Sequence, residues 1–320
     1  MTMEMFKDIC RMSQKGLKKH VAKQLREKYT TVISDNGFVY AKGDFPVLLV
    51  AHLDTVHKKL PGKIKYSKGK LSSPNGIGGD DRCGVYMIFD IIKEYNCSVL
   101  FCEDEEIGGV GSDKFIKTKL AGELVGTFNY LIEFDRKGSN DAVFYDCANT
   151  EFEDFITKEF YKTQYGSFSD ISTLAPFLKA AAVNLSCGYY NAHTKTEYVV
   201  WKEMLNSISE AKKILARTTE NDKFEYIESP YSDALLFGGY YDDFYNYGSY
   251  RSYGSYYGES VYYVEYRDVI TRETKIFDTY AFSEEEALGL FCIKNPDSCY
   301  NDVIDIYAED MVFLNTKKEK

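Results

Sequence analysis

Four short apolar runs, Val47–Val50, Ser98–Cys102, Tyr130–Phe134 and Ala181–Leu185, punctuate residues 47–185. They are continuous rather than alternating and rich in branched and aromatic residues, the pattern of strands buried on both faces of a parallel sheet. Segments of helical period lie between and around them. Met5, Ile9, Met12, Leu17, Val21 and Leu25 predict one amphipathic helix over residues 1–27. Val85, Ile88, Phe89, Ile91 and Ile92 predict a helix from Asp81 to about Glu94, and further helices are read near Ser112–Lys119, Phe152–Tyr161 and Ile171–Leu178. Val200, Met204, Ile208, Ala211 and Leu215 predict a long one over Glu197–Arg217. Asn36-Gly37 between Thr30–Ser34 and Phe38–Ala41 marks a hairpin, and a second is read around Lys68-Gly69 between Lys63–Tyr66 and Lys70–Leu71. Val143–Tyr145 reads as a short strand. The fold class expected is α/β, a mostly parallel central sheet flanked by helices, over residues 1–218.

The pattern changes after that. Residues 219–258 read as a linker or extension whose second half, from 229, is dominated by Tyr, Gly, Ser and Asp. Residues 259–320 regain periodicity as a small α+β module. It comprises a hairpin over Val261–Tyr266 and Thr274–Tyr280, a helix over Ser283–Phe291 with Ser283 and Glu286 at capping-box spacing, and a strand over Val303–Tyr307.

Charge and cysteine usage narrow the function classes. The chain of 320 residues carries 39 Lys+Arg against 49 Asp+Glu, a net −10, which argues against nucleic acid or an anionic membrane as partner. The tyrosines of 229–258 have almost no Lys or Arg beside them, so base stacking on a phosphate-tracking surface is not indicated. No signal-type segment and no bilayer-length apolar run is read, and the eight cysteines contain no C-x-x-C pair. These features predict a cytoplasmic chain with reduced, mostly buried thiols.

The chemistry sits where the apolar runs stop. The first ends in Ala51-His52-Leu53-Asp54; residues two apart on a strand share a face, so Asp54 can fix the ring of His52. The second ends in Glu103-Asp104-Glu105-Glu106-Ile107-Gly108-Gly109, the third in Asp135, and the fourth leads to Asn191-Ala192-His193-Thr194. Gly76-Ile77-Gly78-Gly79-Asp80-Asp81-Arg82-Cys83-Gly84 lacks the G-K-[ST] of a phosphate loop, and its two acids would repel phosphate; a metal-binding turn fits better. Ligands bind at the carboxyl ends of strands in open α/β sheets. His52, Asp80, Glu105, Glu106, Asp135 and His193 make a mixed N/O set suited to Zn²⁺, with Co²⁺ or Mn²⁺ as alternatives. The set exceeds the needs of one tetrahedral ion and suits two ions about 3.5–4 Å apart sharing a carboxylate. Of the adjacent Glu105 and Glu106, one can ligate and the other stay free as a base.

These motifs, A-H-L-D-T-V, G-G-D-D-R-C-G, E-D-E-E-I-G-G-V-G, E-F-D-R and N-A-H-T-K-T-E, resemble in type and order those of the clan MH zinc exopeptidases, which comprise aminopeptidase, tripeptidase and carboxypeptidase-type families. The resemblance spans about residues 45–205. It implies one zinc on His52, Asp80 and Asp135, another on Asp80, Glu106 and His193, Asp80 as the bridge, Glu105 as general base, Asp54 as the orienter of His52, and a cis peptide at Asp80–Asp81. The implied reaction is hydrolysis of a short peptide by water activated between the ions. Many relatives insert a lid domain of roughly a hundred residues between the third acid and the last His; Asp135 and His193 are too close for one. The chain therefore resembles the compact aminopeptidase arrangement, its substrate-binding residues are not assigned, and a homo-oligomer is compatible with it.

Blander readings stand beside these. Glu133 and Glu197 are alternatives to Asp135 and His193 as ligands; His57, in a Lys-rich loop, reads as exposed; His20 reads as structural; Cys83 reads as helix packing. Arg136 and Asp170 could touch substrate or merely form a salt bridge and a loop cap. An N-acyl amino acid deacylase of the same fold and a non-catalytic, metal-stabilised scaffold remain the competing functions.

Overall fold

The computed structural model describes residues 1–229, 260–268, 271–281, 287–288, 291 and 303–308. Contacts divide the chain into two compact units, Met1–Gly238 and Gly239–Lys320.

The first unit begins with α1 (Met3–Cys10) and α2 (Gln14–Arg26), then β1 (Val32–Asp35), β2 (Phe38–Ala41) and β3 (Phe45–His52). The hairpin β4 (Lys65–Ser67) and β5 (Lys70–Ser72) precedes α3 (Gly79–Ile91) and β6 (Cys97–Cys102). A 3-10 turn, Glu105–Ile107, leads into α4 (Val110–Ile116), α5 (Lys119–Leu124), β7 (Tyr130–Arg136) and β8 (Asp141–Val143). Then follow α6 (Thr150–Thr157), β9 (Lys162–Gln164), α7 (Asp170–Leu178), β10 (Ala182–Ser186), β11 (Tyr189–Tyr190), β12 (Tyr198–Val200) and α8 (Trp201–Arg217).

The four apolar runs form the middle of an eight-stranded sheet ordered β1-β2-β6-β3-β7-β10-β8-β9. β6, β3, β7 and β10 are mutually parallel. β2 and β8 flank them antiparallel. The period of two divides β3 between two cores: Val47, Leu49 and Ala51 pack with the helices α1, α2, α3 and α8, whereas Leu48 and Val50 face α4, α5 and α7. Both faces are covered, which is why these strands are apolar throughout rather than alternating. Leu49 is fully buried at the centre of the sheet. Leu49→Ala should lower unfolding stability by about 2–5 kcal/mol; urea denaturation measures it, and a loss below about 1 kcal/mol would contradict this placement.

Two expected elements are corrected. The single N-terminal helix is two, because the Ser13 hydroxyl accepts from Gly16 N–H and caps a fresh helix at Gln14. The helix expected from Glu197 starts at Trp201 instead. Tyr198–Val200 is extended and pairs with β5 and β11 in a second, antiparallel sheet ordered β11-β12-β5-β4, with Val199 buried.

The described strands of the second unit are β13 (Ser260–Arg267), β14 (Thr274–Ala281) and β15 (Val303–Ala308), an antiparallel sheet with β13 in the middle. Val264, Tyr266, Ala287, Leu288, Phe291 and Val303 are its buried cluster. The expected helix 283–291 lies largely outside the described residues, and the Tyr-rich stretch 230–258 lies wholly outside them.

Candidate metal centre

The four parallel strands stop along one edge of the sheet, and their carboxyl ends supply adjacent side chains. His52 closes β3, and Asp80 lies at the start of α3 with non-helical φ −81° and ψ 106°, before a cis peptide to Asp81. Glu105 and Glu106 occupy the turn after β6, Asp135 lies near the end of β7, and His193 sits between β11 and β12 at φ 63°.

Asp80 stands between the two imidazoles. Its Oδ1 is 3.0 Å from His52 Nε2 and its Oδ2 is 3.0 Å from His193 Nε2. Asp135 Oδ1 lies 3.4 Å from His52 Nε2, and Glu106 Oε2 lies 3.0 Å from His193 Nε2. The structure thus brings together two overlapping triads, His52/Asp80/Asp135 and His193/Asp80/Glu106. Glu105 Oε2 is 4.0 Å from His52 Nε2, beyond hydrogen-bond range.

Asp54 ties the parts together. Its Oδ1 is 3.2 Å from His52 Nδ1 and accepts from Glu105 N–H at 3.0 Å, while Oδ2 accepts from Glu106 N–H at 3.1 Å. One carboxylate therefore orients the ring and the two-glutamate turn. Asp81 also approaches: His52, Asp81 and Asp135 offer ligand atoms within 4.8 Å of one another, as do His52, Asp80 and Glu106. However, Asp81 accepts from the backbone N–H of His52 and Gly84, at 3.2 and 2.8 Å, so its oxygens already have partners. Gly84 is obligatory, because a methyl there would overlap the Phe134 carbonyl where α3 crosses β7.

The electrostatics call for positive charge. Five carboxylates, Asp54, Asp80, Glu105, Glu106 and Asp135, surround two imidazoles. Burial, reinforced by the neighbouring acids, pushes Asp135 up to about 7 and Glu105 well above the ordinary carboxylate range. Burial also raises Glu106. Burial alone would lower the His52 ring, but Asp135, Asp54 and Asp80 outweigh it and raise it well above its usual value. One oxygen of Glu106, Oε1, is buried with no hydrogen-bond partner. An orphaned buried carboxylate oxygen in a pocket of N and O donors fits divalent cations that accept lone pairs from both residue types.

The remaining candidates fall outside this cluster. Glu133 is buried and accepts from the Ser169 hydroxyl and, at 3.4 Å, from Ile171 N–H. Glu197 is bound to backbone amides rather than aimed at the imidazoles. His57 is not exposed as expected; its side chain is 9% accessible because it pairs with Glu197 at 2.7 Å. His20 packs edge-on against Phe89, and Cys83 is buried. Arg136 lies 3.5 Å from Asp141, and Asp170 is wholly buried at the start of α7. All six cysteines among the described residues are buried and free. Sequence reasoning missed Arg82, whose buried guanidinium donates to the carbonyls of Leu53, Asp54 and Met12 and pins the loop after β3. An Arg directly following paired acids was the available signal.

No family model and no curated protein matches the chain. Solved structures do. Aminopeptidase PepT from Bacillus cereus ATCC 10987 superposes with a TM-score of 0.56 at 13% identity, over 66% of this chain and 96% of that one. A tripeptidase from Staphylococcus aureus subsp. aureus Mu50 gives 0.53 at 13%, over 67% and 98%. An aminopeptidase from the archaeon Desulfurococcus kamchatkensis gives 0.52 at 14%, over 68% and 94%. The chain shares the fold of these solved peptidases over about two thirds of its length. The names these structures carry are aminopeptidase and tripeptidase. No helix among the described residues is long and apolar enough to cross a membrane.

Proposed function

We propose that the first unit is a two-metal exopeptidase that removes amino-terminal residues from short peptides. The observation carrying this reading is the placement of Asp80 midway between His52 and His193, 3.0 Å from each, with Asp135 and Glu106 completing one triad on either side. In this reading His52, Asp80 and Asp135 hold one ion, Asp80, Glu106 and His193 the other, and residues 1–218 form the catalytic domain. When bound, such a pair of cations, Zn²⁺ or else Co²⁺ or Mn²⁺, supplies Lewis acidity that lowers the pKa of water and polarises a carbonyl.

The chain's own residues do the rest. Asp54 holds the His52 ring so that Nε2 faces Asp80 and Asp135. The same carboxylate, through the N–H groups of Glu105 and Glu106, separates the tasks of these neighbours: Glu106 turns to His193 and Glu105 stays out of hydrogen-bond contact with either imidazole. Glu105 takes a proton from the attacking water at a carboxylate oxygen and returns it to the departing amine nitrogen.

The test is hydrolysis of aminoacyl chromogenic substrates, lost with a chelator and restored by Zn²⁺ or Co²⁺. A parallel panel with blocked amino ends separates this reading from an N-acyl amino acid deacylase, which would prefer the blocked series. Failure of the metal-loaded protein to turn over either series would leave the non-catalytic scaffold.

A further inference from the structure

We infer that Glu197, held by His57, is a positioning residue that fixes Asp80 between the two imidazoles; this rests on the metal-site reading above. Glu197 is wholly buried. Its Oε1 accepts from Asp80 N–H at 3.1 Å; its Oε2 accepts from Gly78 N–H at 2.7 Å and lies 2.7 Å from His57 Nε2. One side chain thus grips both ends of the Gly78–Asp80 segment. That segment needs a grip: Gly78 is left-handed at φ 67°, and Asp80 and Asp81 depart from helical geometry although they stand at the head of α3. The backbone N–H groups there have no carbonyl of a preceding turn to bond.

His57 completes the clasp. Its ring lies against Gly76, at φ 84°, where any larger residue would overlap the imidazole. The Gly76–Asp80 loop is therefore closed from one side by the segment after β3 and from the other by the residue before β12. Glu197 also lies four positions after His193, so the stretch that brings one imidazole to Asp80 also anchors the backbone of Asp80. Movement of this loop would displace an acid shared by both triads.

The test compares E197Q with the wild-type chain. Glutamine keeps the size but presents an N–H₂ group to one of the two backbone donors, leaving a buried N–H unpaired. Zinc affinity, measured by competition with a chelator, should fall about 10–100-fold, as for partners that orient metal ligands elsewhere. The visible spectrum of the Co²⁺-loaded protein should change, and kcat should fall while KM stays within about twofold, because Glu197 touches no substrate. H57A and H57Q provide the second arm: H57A should reproduce the loss in part, and H57Q, which restores a donor, should recover it. Wild-type affinity and Co²⁺ spectrum in a folded E197Q would overturn the inference, as would equal behaviour of H57A and H57Q. Zinc binding without turnover in the wild-type chain would instead overturn only the peptidase reading.

Discussion

E105Q is expected to lose about 10²–10⁴-fold in kcat, the usual worth of a positioned general base, while retaining its metal content. The prediction follows from the division of labour in the turn after β6. Glu106 reaches His193 at 3.0 Å, whereas Glu105 stands 4.0 Å from His52 Nε2. Glutamine preserves the volume and leaves the main-chain N–H bond to Asp54 in place, so only the ability to take a proton is removed. Metal analysis and circular dichroism should match wild type. A kcat within about threefold of wild type would exclude Glu105 as the base.

D80A is expected to abolish turnover by a different route, through loss of metal. Asp80 is the only one of these acids within 3.0 Å of both imidazoles among the described residues, so alanine removes the carboxylate that the two triads share. The Lewis-acid contribution is worth several kcal/mol, so activity should fall by about 10³-fold or more. Zinc should raise the melting temperature of the wild-type chain by binding the folded state, and this shift should vanish in D80A. H193A, which touches one triad, should keep one ion. Retention of two ions by D80A would remove the bridge from the account.

The central sheet and the strand-end acids were legible because both follow from short-range rules. Continuous apolar runs mark strands covered on both faces, and the carboxyl ends of parallel strands lie along one edge. His52, Asp135 and the turn with Glu105 and Glu106 follow from those two facts. What was not legible depends on long-range partners. Tyr198–Val200 fits the helical period of the segment that follows; it is extended because β5 offers it a ladder 128 positions away, Val199 opposite Leu71. His57 reads as a loop residue until the fold delivers Glu197, 140 positions on. Arg82 likewise finds its acceptors only once the chain after β3 and the link between α1 and α2 meet over α3. Ser13 was a local signal that the helical period across residues 1–27 concealed.

The most direct measurement is anomalous diffraction at the zinc edge from crystals grown with Zn²⁺. The account predicts two peaks about 3.5–4 Å apart, one beside His52 and Asp135, the other beside His193 and Glu106, with Asp80 touching both. A single peak away from Asp80, or none at full zinc loading, would contradict it.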